Sequence, residues 1–187
     1  MNGTSRSALL IGFAGLFALS CASRPVEVKS AAGSADGGAC PAAGDARVAG
    51  RSFSRQRNGG IVSGASRPVY LDPATRYSTA VFQAITDRQN KSNFFKAEKE
   101  SGTVVPDPAM LKCRRTVQTD ADGAFTFENV GAGTYFVSSY VSWLTPTGEW
   151  LGTWNVSSLV VSGDGKKFEI LLSGVPAAIP DMSTPRP

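Results

Sequence analysis

The stretch from Thr116 to Trp143, TVQTDADGAFTFENVGAGTYFVSSYVSW, decides the fold. Phe125 and Phe127 alternate with polar neighbours, and Tyr135, Val137, Ser139, Val141 and Trp143 continue the alternation in the next run. A period of two puts each set on one face of a strand, so both runs are half-buried strands rather than helices. Asp120-Ala121-Asp122-Gly123 and Gly131-Ala132-Gly133 read as turns, because Asp caps its own backbone and Gly accepts positive φ.

The same pattern extends outward. Trp150 to Val161 is a further strand, Gly163-Asp164-Gly165 reads as a hairpin turn, and Phe168, Ile170 and Leu172 share one face of the last strand. Upstream, Arg47 to Ser54 and Val69 to Leu71 are weaker strands flanking the Gly59-Gly60 loop. One helix interrupts them near 79–90, with Ser78 as N-cap, Tyr77 stapled on Phe82, and Val81 and Ile85 continuing its apolar face. A Gly- and Pro-bearing loop from Gly102 to Pro108 leads back to the sheet. The expected fold is mainly β: a single antiparallel β-sandwich of about seven strands with one inserted helix.

The spacing of Thr119, Asp120, Gly123, Phe125, Phe127, Val130, Gly133, Tyr135 and Val137 resembles the signature of carboxypeptidase regulatory-like domains. These are prealbumin-like sandwiches, similar to transthyretin and to the B-repeats of collagen adhesins. Val69-Tyr70-Leu71-Asp72-Pro73-Ala74 resembles bacterial lipoprotein members of the group, and Gly131 stands where the family often has Pro. The match is dense over about thirty residues, and the resemblance implies a domain of roughly 46–173. It implies a non-catalytic module that stabilises neighbours, mediates adhesion or binds carbohydrate.

The first twenty residues read as an export signal. Arg6 forms a positive n-region, and Ala8 to Leu19 form an apolar run of twelve residues. The uncharged stretch from Ser7 to Ser23 is seventeen residues, short of the about 20 that a membrane-spanning helix needs. Phe17-Ala18-Leu19-Ser20-Cys21 resembles the bacterial lipobox, although Ala18 and Leu19 invert its commoner order; ordinary secretory cleavage is the alternative. The resemblance implies cleavage before Cys21, lipidation of its thiol and a membrane anchor. Ala22 resembles the position that sorts lipoproteins to the outer membrane of diderm bacteria. Residues 21–45, rich in Ala, Gly and Ser, read as a flexible tether, and 174–187, with four prolines, as a disordered tail.

Composition narrows the function. Of 187 residues, 42% are hydrophobic and 18% charged, ordinary for a globular domain. The charge of +4 falls to +3 once Arg6 is removed, a weak basic bias that does not point to nucleic acid. Arg47, Arg51, Arg55 and Arg57 are the densest positive group; they could meet anionic lipid, lipopolysaccharide or cell-wall polymer, or form a solvated strand edge and loop. The chain has no histidine, which removes the commonest metal ligand and the usual general base.

Few residues remain as candidates for chemistry. Cys40 and Cys113 either pair as a disulfide or stay free, and without histidine neither is an activated nucleophile. Asp120 and Asp122 have the alternate spacing of a calcium loop but lack its other ligands, so a turn is the simpler reading. Tyr140, Trp143, Trp150 and Trp154 gather about the turn from Leu144 to Glu149. They offer an aromatic platform for a sugar or a protein partner, unless Trp143 and Trp154 fill the core and leave Trp150 exposed. No metal or cofactor is implied. The expected role is a membrane-anchored, non-catalytic structural or protein-interaction module of the cell envelope. A carbohydrate-binding module is the alternative, and an enzyme is disfavoured.

Overall fold

A computed structural model describes residues 40–56, 58–92, 95–96 and 108–174. Among them are nine strands and two helices. In chain order these are β1 (Ala46–Arg55), β2 (Ile61–Ser63), β3 (Pro68–Pro73), α1 (Arg76–Ser92), β4 (Phe95–Lys96), α2 (Pro108–Cys113), β5 (Arg115–Gln118), β6 (Ala124–Val130), β7 (Gly133–Leu144), β8 (Trp150–Val161) and β9 (Lys167–Leu172).

The strands form two sheets. The larger runs β4-β8-β7-β3-β5, all antiparallel, and the smaller is built around β1, which pairs antiparallel with β6 and β2 and parallel with β9. The fold is thus a mainly β sandwich, as the alternation requires. Among the described residues nine strands stand where about seven were expected, and one pairing, β1 with β9, is parallel rather than antiparallel; three further details differ from the sequence reading. The Gly163-Asp164-Gly165 segment is not a hairpin turn, because it carries the chain from β8 across to the smaller sheet. Phe168, Ile170 and Leu172 face the interior from either sheet, so alternation alone could not tell which sheet receives β9. β1 also lies between β9 and β6 from Arg47 to Arg51, so those two arginines are not on a strand edge, whereas Arg55 lies past the end of the β9 pairing and is paired only with β2.

The third difference concerns the helices. Among the described residues there are two rather than one, and α1 begins at Arg76. Its cap is Thr75, not Ser78. The Ser78 amide donates to Thr75 Oγ1 at 3.0 Å and the Thr75 amide donates to Ser78 Oγ at 2.8 Å, a reciprocal capping box with serine in the third helical position. Both residues carry a short hydroxyl, so composition alone did not choose between them.

The core divides in two. Between the sheets, Val48, Leu71, Phe125, Phe127, Tyr135, Val137 and Leu172 are buried together. On the other side of the larger sheet, Val81, Phe82 and Ile85 of α1 pack on Phe136 and Val156, with the Phe82 and Phe136 rings 4.7 Å apart. β7 is therefore buried on both faces over its first half. This extra layer explains why Phe136 and Ser138, which fall on the expected polar face, are both fully buried.

Close backbone approach fixes the glycines at the turns. A side chain at Gly131 would place its Cβ 1.9 Å from the Ala42 carbonyl oxygen, and the Gly44 amide donates to Asn129 O at 3.4 Å. The run from Cys40 to Asp45, assigned to the tether by composition, thus lies against the end of β6. At Gly123, φ is 77°, and Asp120 Oδ1 accepts from the amides of Asp122 and Ala124 at 2.9 and 2.8 Å. The aspartate spacing there serves the turn.

Buried polar groups are held in two places. Asn155 donates to Phe53 O and Ser52 Oγ and accepts from Ser54 Oγ, joining the sheets at the end where the interior is least apolar. Asp72, fully buried, receives two hydrogen bonds from Arg114, at 2.8 and 3.0 Å, while the guanidinium stacks 4.4 Å over the Tyr70 ring. Burial pushes the Asp72 carboxyl above the ordinary carboxylate range, and the hydrogen bonds and charge of Arg114 only partly offset this. Desolvation consumes most of the attraction in such a pair, so it acts chiefly to fix β3 against the chain entering β5.

Candidate binding face at the β7–β8 hairpin

The hairpin joining β7 to β8 is closed by Thr145. Its amide donates to Glu149 O at 2.8 Å, its carbonyl accepts from the Gly148 amide at 2.9 Å, and its hydroxyl accepts from the Glu149 amide at 3.0 Å. Gly148 supplies the positive φ of 79° that this turn needs. The result is a fixed hairpin end at which Leu144 pairs with Trp150.

Register then sorts the four aromatics. Tyr140 pairs with Trp154 and Leu144 with Trp150, so the side chains of these two pairs point to the outer face of the larger sheet, with Trp154 beside the cluster under α1 and Leu144 and Trp150 at the hairpin end. Trp143, an odd position on the same strand, points the other way and is buried at the end of the sandwich interior. The four aromatics singled out in the sequence therefore do not form one cluster. Unlike Trp143, Trp154 does not enter the sandwich interior; it packs beside the helix-side cluster, its ring 5.3 Å from that of Tyr140.

Trp150 remains accessible, with 43% of its surface exposed, beside Leu144 at 55%. Behind them the Tyr140 ring crosses Gly152 so closely that a Cβ there would fall 2.1 Å from the phenol oxygen. Ser142, on the same face, accepts from Arg67 Nη2 at 3.0 Å. The surface is an indole with an aliphatic neighbour, bordered by a hydroxyl and a guanidinium. Leu144, Ser142 and Arg67 were missed in the sequence, although Leu144 and Ser142 share parity with Tyr140.

The free edge of β8 near this face is occupied. Gln89 on α1 mimics a neighbouring strand, its Nε2 donating to Trp154 O and its Oε1 accepting from the Trp154 amide, both at 2.8 Å. β4 pairs with Leu151 and Gly152, and the Val156 amide donates to Gly174 O at 2.8 Å. Side chains rather than strand addition are thus what this end offers to a partner.

The other candidate residues lie elsewhere. Cys40 and Cys113 are joined in a disulfide with Cα atoms 5.2 Å apart, Cys113 ending α2 and Cys40 beginning the run that lies against the end of β6. Among the described residues no three His, Cys, Asp or Glu side chains gather as metal ligands. Cys21 and Arg57 lie outside the described residues.

No family model and no curated protein matches the chain. Among solved structures, the chain is similar to a "putative carbohydrate binding protein" from Pseudomonas aeruginosa. The two are 27% identical, with a TM-score of 0.57, over 72% of this chain and 92% of the other.

Proposed function

We propose that this chain is a non-catalytic carbohydrate-binding module of the cell envelope, held by a lipid on Cys21, and that its sugar site is the outer face around Trp150. The observation that carries the reading is Trp150 itself, a large indole left 43% exposed on a fixed hairpin end. An indole plane accepts the apolar face of a sugar ring, and Ser142 and Arg67 stand on the same side for its hydroxyls. The likeness to the Pseudomonas protein and the resemblance to carboxypeptidase regulatory-like domains support the same direction.

A pull-down against envelope polysaccharides tests it. Trp150→Ala should lower the affinity by about 30-fold, the scale of a hot-spot aromatic. Unchanged binding in the variant sinks the sugar platform. The same exposed indole and leucine also fit a protein anchor, so polysaccharide-independent capture of an envelope protein that Trp150→Ala abolishes would move the function to that reading.

The anchor has its own test. Each acyl methylene in a bilayer contributes about 0.8 kcal/mol, so a diacylglycerol on Cys21 would hold the protein on membranes through washing. Cys21→Ala should release it to the soluble fraction and change the mature mass; if neither changes, secretory cleavage without lipidation is correct.

A further inference from the structure

On the far side of the molecule, the outer face of the smaller sheet carries no helix among the described residues. Alternation along β1 sends Arg47, Arg51, Phe53 and Arg55 to this face, while Val48, Ser52 and Ser54 point inward and are buried. β9 and β6 flank β1, and β2 pairs with its end. Two of the face's acids are already occupied: Glu128 pairs with Arg47 at 3.2 Å and Glu169 with Lys167 at 2.6 Å. Arg51 and Arg55 make no ion pair among the described residues.

These two arginines are bracketed by apolar side chains. Leu171 is the register partner of Arg51 across β9 and is 59% exposed; Ile61 is the partner of Arg55 across β2 and is 66% exposed. Phe53, half-buried, stands between the arginines, which are four residues and so about 13 Å apart along the strand. Beside them an open groove of about 360 Å³ is floored by the small side chains Ala49, Ala124 and Thr126. The patch is contiguous: two unneutralised guanidinium groups with three apolar side chains at the same level.

We propose that this patch docks the domain on an anionic bilayer surface, with Arg51 and Arg55 at the phosphate level and Leu171 and Ile61 entering the acyl boundary. The charge of the patch is complementary to anionic headgroups, and guanidinium groups bind phosphate oxygens bidentately. Its most exposed apolar members, Leu171 and Ile61, are branched aliphatics, which insert among acyl chains, and its one ring, Phe53, is half-buried between the arginines rather than laid open as a platform for a sugar. An acidic glycan is therefore the weaker match. This surface is separate from the Trp150 face and does not depend on the sugar reading.

The test uses the full chain carrying Cys21→Ala, so that no acyl group contributes, in flotation with vesicles. Vesicles of phosphatidylcholine containing about one-third phosphatidylglycerol should carry the protein, and pure phosphatidylcholine vesicles should not. Arg51→Gln with Arg55→Gln should lower the partition coefficient about 30-fold, roughly fivefold per arginine, with the unfolding midpoint unchanged because both side chains are exposed. Leu171→Ser with Ile61→Ser should remove the binding that survives salt on the order of 0.5 M. Binding indifferent to the arginine pair, or no flotation at all, overturns the proposal. Retention of the arginine-dependent binding by a soluble acidic polysaccharide in place of vesicles overturns it in favour of a glycan.

Discussion

Phe127→Ala should lower the stability of the domain by about 3–5 kcal/mol, read as a shift of the urea midpoint with an unchanged slope. Phe127 is fully buried in the inter-sheet core, with its ring centroid 6.0 Å from that of Phe125 at an angle of 70°. Arg115 covers its rim, 5.9 Å from the centroid, and also donates to the carbonyls of Glu128 and Asn129. Removing the ring leaves a cavity between sheets whose separation is set elsewhere, by Asn155 at one end and the disulfide at the other, so the site cannot collapse to fill it. Leu171→Ala is the control. That side chain is more than half exposed on the opposite face of the smaller sheet, and its loss should change stability by no more than about 0.5 kcal/mol. Equal effects at the two positions would mean that the assigned inner and outer faces are wrong.

Loss of the Cys40–Cys113 bond should cost about 4 kcal/mol, because the bond closes a loop of 73 residues in the unfolded chain. Cys40→Ser, Cys113→Ser and reduction of the native protein should all give the same loss. The unfolded chain would expand once freed, so the denaturant slope should rise as well, which distinguishes this effect from that of Phe127→Ala. The native side adds to the loss. Cys113 precedes Arg114, which must reach the buried Asp72, and Cys40 begins the run that lies against Gly131. Reduced and oxidised protein with the same midpoint would show that the bond does not form in solution.

Much of the sandwich was legible because alternation is a local property. Phe125, Phe127, Tyr135 and Val137 announce an inward face through their immediate neighbours, and all four are buried as that predicts. What was not legible depends on partners distant in sequence. β9 shows an inward-facing triplet, but its pairing with β1 depends on residues more than a hundred positions away. Phe136 and Val156 lie on the face that alternation alone assigns to solvent, and their burial follows only from the helix packed over them.

The candidate site failed in the same way. Trp143, Trp150 and Trp154 are close in sequence, but the pairing of Tyr140 with Trp154 sends Trp143 to the opposite face from the other two. Parity within β7 was readable; the phase between β7 and β8 was not. Gln89, which satisfies the Trp154 backbone, carries no signal at all in sequence, since an amide on a helix is ordinarily a solvated surface residue.

The parallel pairing of β1 with β9 joins the first strand of the fold to the last. A chain delivered amino end first can build the larger sheet and the β1–β6 ladder while β9 is still emerging. One flank of β1 stays open until Leu172 arrives, so a truncation before β9 leaves the backbone groups of that flank unpaired.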